Sequence, residues 1–283
     1  MTVEWYIWMI VIAGSFFAGS INTLAGNGSA ITLTILTELL GLPGNLANGT
    51  NRVGILMQTA AGGIAFYRNG RLDLRRSEWY LIFSVIGAIA GTILAVSISN
   101  EQFRVVFRFL MVFLLFLILF KPERWLHETE ANRRPNWWVA GPLFVALGFY
   151  GGFIQMGMGL FFLAAMVLGA RYSMIDANAL KSIVVGVIQA AAILIFAWKG
   201  LIDWRIGGIM AIGQAAGGYV TAHYASRLPG ANVWAHRLLV AVVLVSLFRL
   251  FEVHKLWSAS AMSQTSSGHT RLRSKGQRQT ERF

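Results

Sequence analysis

Two short stretches of this chain carry residue types that could hold a small solute. The first is Asn22-Thr23-Leu24-Ala25-Gly26-Asn27-Gly28-Ser29 and the second is Gly151-Gly152-Phe153-Ile154-Gln155-Met156-Gly157-Met158-Gly159. Each interrupts an apolar run and precedes a short apolar segment, so each predicts a helix that stops and restarts. A restarting helix offers backbone N–H groups without intrahelical partners and a partial positive charge. Glycine lets a ligand approach that backbone closely, here at Gly26, Gly28, Gly157 and Gly159. Asn22, Asn27, Ser29 and Gln155 would add side-chain hydrogen bonds. Such a pair of breaks binds an anion without needing a buried cation. The competing reading is that these glycines serve only close helix packing.

A second constellation, Asn48-Gly49-Thr50-Asn51-Arg52, has an echo in Asn178-Ala179-Leu180-Lys181. Each places amides and one cation near the expected start of a long helix. Asn48, Asn51 and Arg52, with Asn178 and Lys181, are therefore further candidates for the solute site. A cation there opposes the helix dipole, so an anion or an acidic partner should compensate it. The competing reading is a snorkelling cation that reaches the headgroups. Gln58 and Gln189 lie about two turns further along the same helices and could line a path. Asp73 and Asp203 follow glycines in turns and are read as caps, and Asp176 as capping or interfacial.

Other chemistries find little support. There is no cysteine, hence no thiolate nucleophile or thiolate metal site. His223 and His236 are not in metal-ligand spacing, and no metal or cofactor is expected. No Gly-rich Gly-Lys-Ser/Thr phosphate loop occurs, so ATP hydrolysis by this chain is not supported. A serine hydrolase built from Ser29 and His223 is an alternative of another class, weakened because the second break carries no serine.

The elements that must position these residues follow from composition. The chain has 283 residues, 56% hydrophobic and only 13% charged, against roughly 25% charged in soluble domains. Residues Trp137–Ala170 run without a charge, as do Tyr80–Ser97. About 20 apolar helical residues cross a hydrocarbon core, so these are membrane spans. Thirty glycines and ten tryptophans suit a membrane bundle. The net charge of +12 is spread over loops and a basic tail, which fits a membrane surface better than nucleic acid.

An internal repeat organises the spans. Ala47–Arg52 aligns with Ala177–Ser182, and the same offset pairs Phe66 with Phe196, Gly70 with Gly200 and Gly87 with Gly217. Five segments per half are expected, near 5–25, 28–41, 47–67, 78–98 and 103–120, then 137–155, 158–170, 175–198, 205–225 and 233–252. The second of each half is too short for an upright span and reads as broken or re-entrant. The expected fold is an all-α, polytopic membrane helix bundle of two inverted repeats. It divides into a first repeat at 1–120, a linker at 121–136, a second repeat at 137–253 and a basic disordered tail at 254–283. Arg68, Arg71, Arg75 and Arg76, with Lys121, Arg124, Arg133 and Arg134 of the linker, place those two connections in the cytoplasm. The expected partners are the lipid bilayer and a small anionic solute, a homodimer being compatible with both.

The motifs resemble a known family. Phe17-Ala18-Gly19-Ser20-Ile21-Asn22-Thr23-Leu24-Ala25-Gly26-Asn27-Gly28-Ser29, Gly41-Leu42-Pro43 and Ala47–Arg52 are similar to the first half of the TauE/SafE sulfite exporter family. Gly148-Phe149-Tyr150-Gly151-Gly152-Phe153-Ile154 and Ala177–Lys181 are similar to its second half. The resemblance covers residues 8–252. It implies a two-repeat transporter of the inner membrane that exports sulfite, a sulfonate or a related small organic anion. Asn27 stands where the family often has glycine, and Gln155 where it has a small residue. Both enlarge and polarise the expected pocket, which favours an oxyanion or sulfonate other than sulfite. An anion channel of similar architecture is the alternative within the same class.

Overall fold

The computed structural model describes residues 5–70, 78–119, 137–169 and 172–224. The linker, the segment expected at 233–252, the tail, Asp73, His236 and the arginines at 71, 75 and 76 lie outside the described residues. Among the described residues every regular element is helical. In chain order these are α1 (Trp5–Ala25), α2 (Gly28–Thr34), α3 (Gly44–Arg68), α4 (Glu78–Ser97), α5 (Asn100–Leu119), α6 (Trp137–Phe153), α7 (Met158–Ala164), α8 (Met174–Trp198) and α9 (Trp204–Tyr224). A π-helical turn extends α2 over Ile35–Leu39, and another extends α7 over Ala165–Gly169. Each sequence-expected segment in this range corresponds to one helix, with ends that differ by a turn or less. The start of α3 moves toward the N-terminus because Pro43 caps it, and proline's fixed φ suits a helix entry.

The side chains are not distributed as in a water-soluble domain: polar groups are buried within an apolar core, and much of the exterior is apolar. Asn27, Asn48, Asn51, Arg52, Gln58, Lys181, Gln189 and Gln214 are buried. Ile64, Ile86, Ile93, Phe109, Leu194 and Ile212 are exposed. Water would penalise that exterior, whereas lipid requires it, and the polar interior is tolerated because other protein groups surround it. Among the described residues three helices, within Trp5–Leu24, Glu78–Ser97 and Ile175–Trp198, are long and apolar enough to cross a membrane. The molecule is an all-α membrane helix bundle. On α3, Asn48, Asn51, Arg52, Gln58 and Thr59 recur at three-, four- and seven-residue spacing, so they share one face, and that face turns inward.

Several described helices of the second half match helices of the first in length and packing. Helix α3 and its π-extended predecessor have counterparts in α8 and the π-extended α7, shifted by 130 residues at both ends (Gly44 to Met174, Arg68 to Trp198). Gly70 and Gly200 both close their helices at φ 67, a left-handed conformation in which glycine lacks the Cβ penalty. Packing repeats as well: α1 lies on α9 as α6 lies on α4, α3 lies on α9 as α8 lies on α4, and α3 and α8 lie on each other. Glycines set several of these contacts. A Cβ at Gly148 would overlap Ser84 of α4, and one at Gly152 would overlap Ala88, so α4 and α6 run in the same direction. Gly213 and Gly217 meet Ile12–Phe16 and Phe16–Ser20, so α1 and α9 also run alike. The counterparts α3 and α8 run oppositely: Arg52 meets Gln189, Thr59 meets Gly186, and Gly62 meets Ser182.

Two helix entries, those of α8 and α9, are capped by the aspartates that the sequence suggests. Asp203 Oδ1 accepts from Ile206 N–H at 2.9 Å, and Asp203 N–H donates to Thr50 Oγ1 of α3 at 2.9 Å. Asp176 and Ser173 cap α8 reciprocally, Asp176 N–H donating to the Ser173 hydroxyl at 3.1 Å. Asp203→Ala is expected to cost about 1 kcal/mol, the usual loss for a helix cap, read as a small fall in the melting temperature of the detergent-solubilised protein.

Candidate functional site

The first break begins where α1 ends. Gly26 adopts φ 76 and its N–H donates to Asn22 O at 3.0 Å, which turns the chain back on itself. Asn27 then caps α2 through its backbone, Ala30 N–H donating to Asn27 O at 3.2 Å. Helix α2 folds back along α1: Gly28 abuts Ala18 and Asn22, and Gly14 abuts Ile35. With seven α-helical and five π-helical residues, this arm is roughly 18 Å long, too short for a 30 Å hydrocarbon core. It forms the short arm of a helical hairpin with α1.

The second break is built differently. Helix α6 ends at Phe153, and two left-handed residues follow, Gln155 at φ 61 and Gly157 at φ 77. Met156 N–H donates to Ile154 O at 2.7 Å, and the Tyr150 hydroxyl donates to Met156 O. Gly157 then caps α7, which again continues into a π-helical turn. The two breaks touch. A Cβ on Gly26 would overlap the backbone of Gly159, and one on Gly159 would overlap that of Gly26. Glycine is required at this crossing because nothing larger lets the backbones approach.

Both sequence-selected cations lie at this crossing, each reaching across to the other half. Lys181 of α8 donates from Nζ to Asn22 O at 2.9 Å, Thr23 O at 3.1 Å and Asn178 Oδ1 at 2.6 Å. An ammonium has three N–H bonds, so all of its donors are engaged. Arg52 of α3 donates from Nη1 to Gly151 O at 3.3 Å and Gln189 Oε1 at 3.2 Å. Its Nη2 donates to Gly152 O and, more weakly, to Phe153 O. The guanidinium also lies 4.7 Å from the Phe196 ring centroid. The sequence places these cations near helix starts, where an anion or acid should compensate them. The structure supplies carbonyl oxygens instead. Lys181 covers the C-terminal end of α1 and Arg52 that of α6, the negative poles of two interrupted helices. Arg52 also stands in the third turn of α3, beyond the first turn where the dipole acts most strongly.

Amides complete the polar interior. Asn22 Nδ2 donates to Gln58 Oε1 at 2.6 Å, and Gln58 Nε2 donates to the Thr23 hydroxyl at 3.0 Å. Asn48 Nδ2 donates to Phe153 O at 2.8 Å, and the Thr92 hydroxyl to Gly152 O at 3.1 Å. Several buried polar atoms have no hydrogen-bond partner: Arg52 Nε and Gln189 Nε2 as donors, and Asn27 Oδ1, Asn51 Oδ1 and Gln155 Oε1 as acceptors. Ser29 is buried in the first turn of α2. His223 packs on Tyr219 and Tyr224, and no hydrogen bond joins it to Ser29 among the described residues.

Thus Asn22, Gly26, Asn178, Lys181 and Gly159 gather at the end of α1, and Asn48 and Arg52 at the end of α6. Asn27, Gly28, Ser29, Gln155 and Gly157 form the breaks between them. Thr92, Thr23, Tyr150 and Phe196 belong to the same interior and were not singled out from the sequence as site residues. Thr92 sits in an apolar helix with no distinguishing signal, whereas Thr23 lies within the first break, beside Asn22.

Comparison with known proteins gives the family. The model of the sulfite exporter TauE/SafE family matches residues 11–250. A probable membrane transporter protein from Sinorhizobium sp is 26% identical over 249 residues, 88% of this chain and 94% of that protein. One from Haemophilus influenzae is 28% identical over 209 residues, covering 74% and 81% of the two chains. A third, from Bacillus subtilis, is 20% identical over 227 residues, covering 78% and 91%. No solved structure matches the chain. With the broken helices, the polar interior and a family match along most of its length, the chain belongs to the sulfite exporter TauE/SafE family.

Proposed function

We propose that this membrane transporter is a secondary carrier of a small anion, bound where the two glycine breaks meet. The observation that carries this reading is the backbone contact of Gly26 with Gly159 inside a polar interior holding Arg52 and Lys181. Two restarting helices turn their positive ends toward one place, Arg52 Nε and Gln189 Nε2 add unpartnered side-chain donors, and the two cations make the region electropositive. The solute is a sulfite, sulfonate or related organic anion, and export is the proposed direction.

The antiparallel course of the counterparts α3 and α8 supports an inverted repeat, and with it a multi-pass topology and alternating access by rocking of one half against the other. Trp5 and Trp204 at helix starts and Trp198 at a helix end support one interfacial belt. Trp79 and Trp137, in contact at 6.2 Å, support the opposite one. The second belt lies at the end where α3 stops with Arg68, so the basic connections would face the cytoplasm of an inner membrane.

The test is counterflow in proteoliposomes loaded with unlabelled sulfite, sulfonates or carboxylates. Saturable uptake of the labelled anion, accelerated by the trans anion, is expected for at least one of them. Unitary currents with no saturation would favour a channel, and no flux of any anion would remove the reading.

A further inference from the structure

We propose that the bound anion carries a hydrogen-bond donor, a hydroxyl, amino or acid O–H group, read by Gln155 and Asn27. The inference rests on the carrier reading and narrows its substrate class.

Gln155 is the only non-glycine residue with positive φ among the described residues, at 61°. That conformation is disfavoured for any residue with a Cβ. Two residues on, Gly157 takes φ 77 without that penalty, so the break already uses glycine where only a turn is required. A glutamine at 155 therefore needs a reason beyond the turn. The residue is 4% exposed, and its Oε1 has no donor within reach. Burying a carbonyl oxygen unpaired is a second cost at the same residue.

The first break repeats the situation on a different residue. Asn27 stands at the N-cap of α2, where an asparagine side chain ordinarily accepts from the helix's first N–H groups. Here it makes no side-chain cap. It is 1% exposed, and its Oδ1 also lacks a partner. The breaks that carry these two oxygens touch at Gly26 and Gly159. In the orientation the structure gives these amides, two desolvated acceptors, one per break, are left unpaired by a solute that offers only oxygen lone pairs. They can be satisfied by an anion whose charged group takes the donors of the site while its own O–H or N–H group points at the amides.

Matched pairs that differ by one hydroxyl test this on the purified full chain: 2-hydroxyethanesulfonate against ethanesulfonate, and hydroxyacetate against acetate. The hydroxylated member of at least one pair is expected to bind at least about tenfold more tightly by calorimetry, the ratio set by leaving a buried acceptor unpaired. In Gln155→Gly that ratio is expected to fall toward unity while the melting temperature does not fall, because glycine relieves the strained φ. Asn27→Gly supplies the second variant, with the same expected fall in ratio. Equal affinities in both wild-type pairs, tighter binding of the donor-free members, or an undiminished ratio in both variants would overturn the inference and leave the carrier reading standing. If no anion binds and none is transported, the carrier reading fails and this inference with it.

Discussion

Arg52→Met is expected to destabilise the protein by about 3 kcal/mol, a loss of the size seen when a buried charged hydrogen-bond partner is removed. The guanidinium is fully buried and serves the last carbonyls of α6, Gly151 O, Gly152 O and Phe153 O. Thr92 and Asn48 would still donate to Gly152 O and Phe153 O, but neither reaches Gly151 O in this arrangement. Gln189 Oε1 would lose its donor as well. Arg52→Lys keeps the charge but replaces a planar fork with a point donor, so its melting temperature is expected between wild type and Arg52→Met. Thermal melting in detergent checks the series. An unchanged melting temperature in Arg52→Met would mean that α6 ends stably without the guanidinium.

Gly159→Ala is expected to abolish transport. The added methyl would sit on the backbone of Gly26, so the breaks must separate or the chain must strain, at about 1–3 kcal/mol for overpacking. Gly70→Ala is the control. Gly70 has φ 67, and a Cβ there would meet nothing within 4 Å among the described residues, so alanine costs roughly 1 kcal/mol of backbone strain. Anion uptake into proteoliposomes is expected to fall to background in Gly159→Ala and to persist in Gly70→Ala. Uptake that survives in Gly159→Ala would show that the crossing of the breaks is dispensable.

Much of this arrangement is legible in the sequence because it depends on residues with strong local signatures. Glycine clusters mark the breaks at 26–28 and 157–159, and apolar runs mark the helices. The offset that pairs Gly70 with Gly200 reappears as identical helix ends. The partners of Arg52 and Lys181 are not legible, since they are backbone carbonyls of helices far away in the chain, and a carbonyl leaves no trace in residue type. The pairing of Asn22 with Gln58 is hidden for a similar reason: both amides are visible, but the reversal at Gly26 decides whether they meet. Strict alignment of the halves even misdirects, because it sets Arg52 opposite Ser182, while Lys181, one residue earlier, covers the equivalent helix end. Nor does glutamine announce the left-handed conformation at 155, which only the surrounding turn imposes.

The central claim is that the anion sits between the two breaks. The chain has no cysteine, so Ser29→Cys gives a single thiol at the start of α2, buried beside the crossing. Its rate of modification by a small water-soluble thiol reagent, measured with and without a saturating concentration of an anion the protein transports, addresses the claim directly. The anion is expected to slow the modification markedly. A rate unchanged by the transported anion would place the binding site elsewhere.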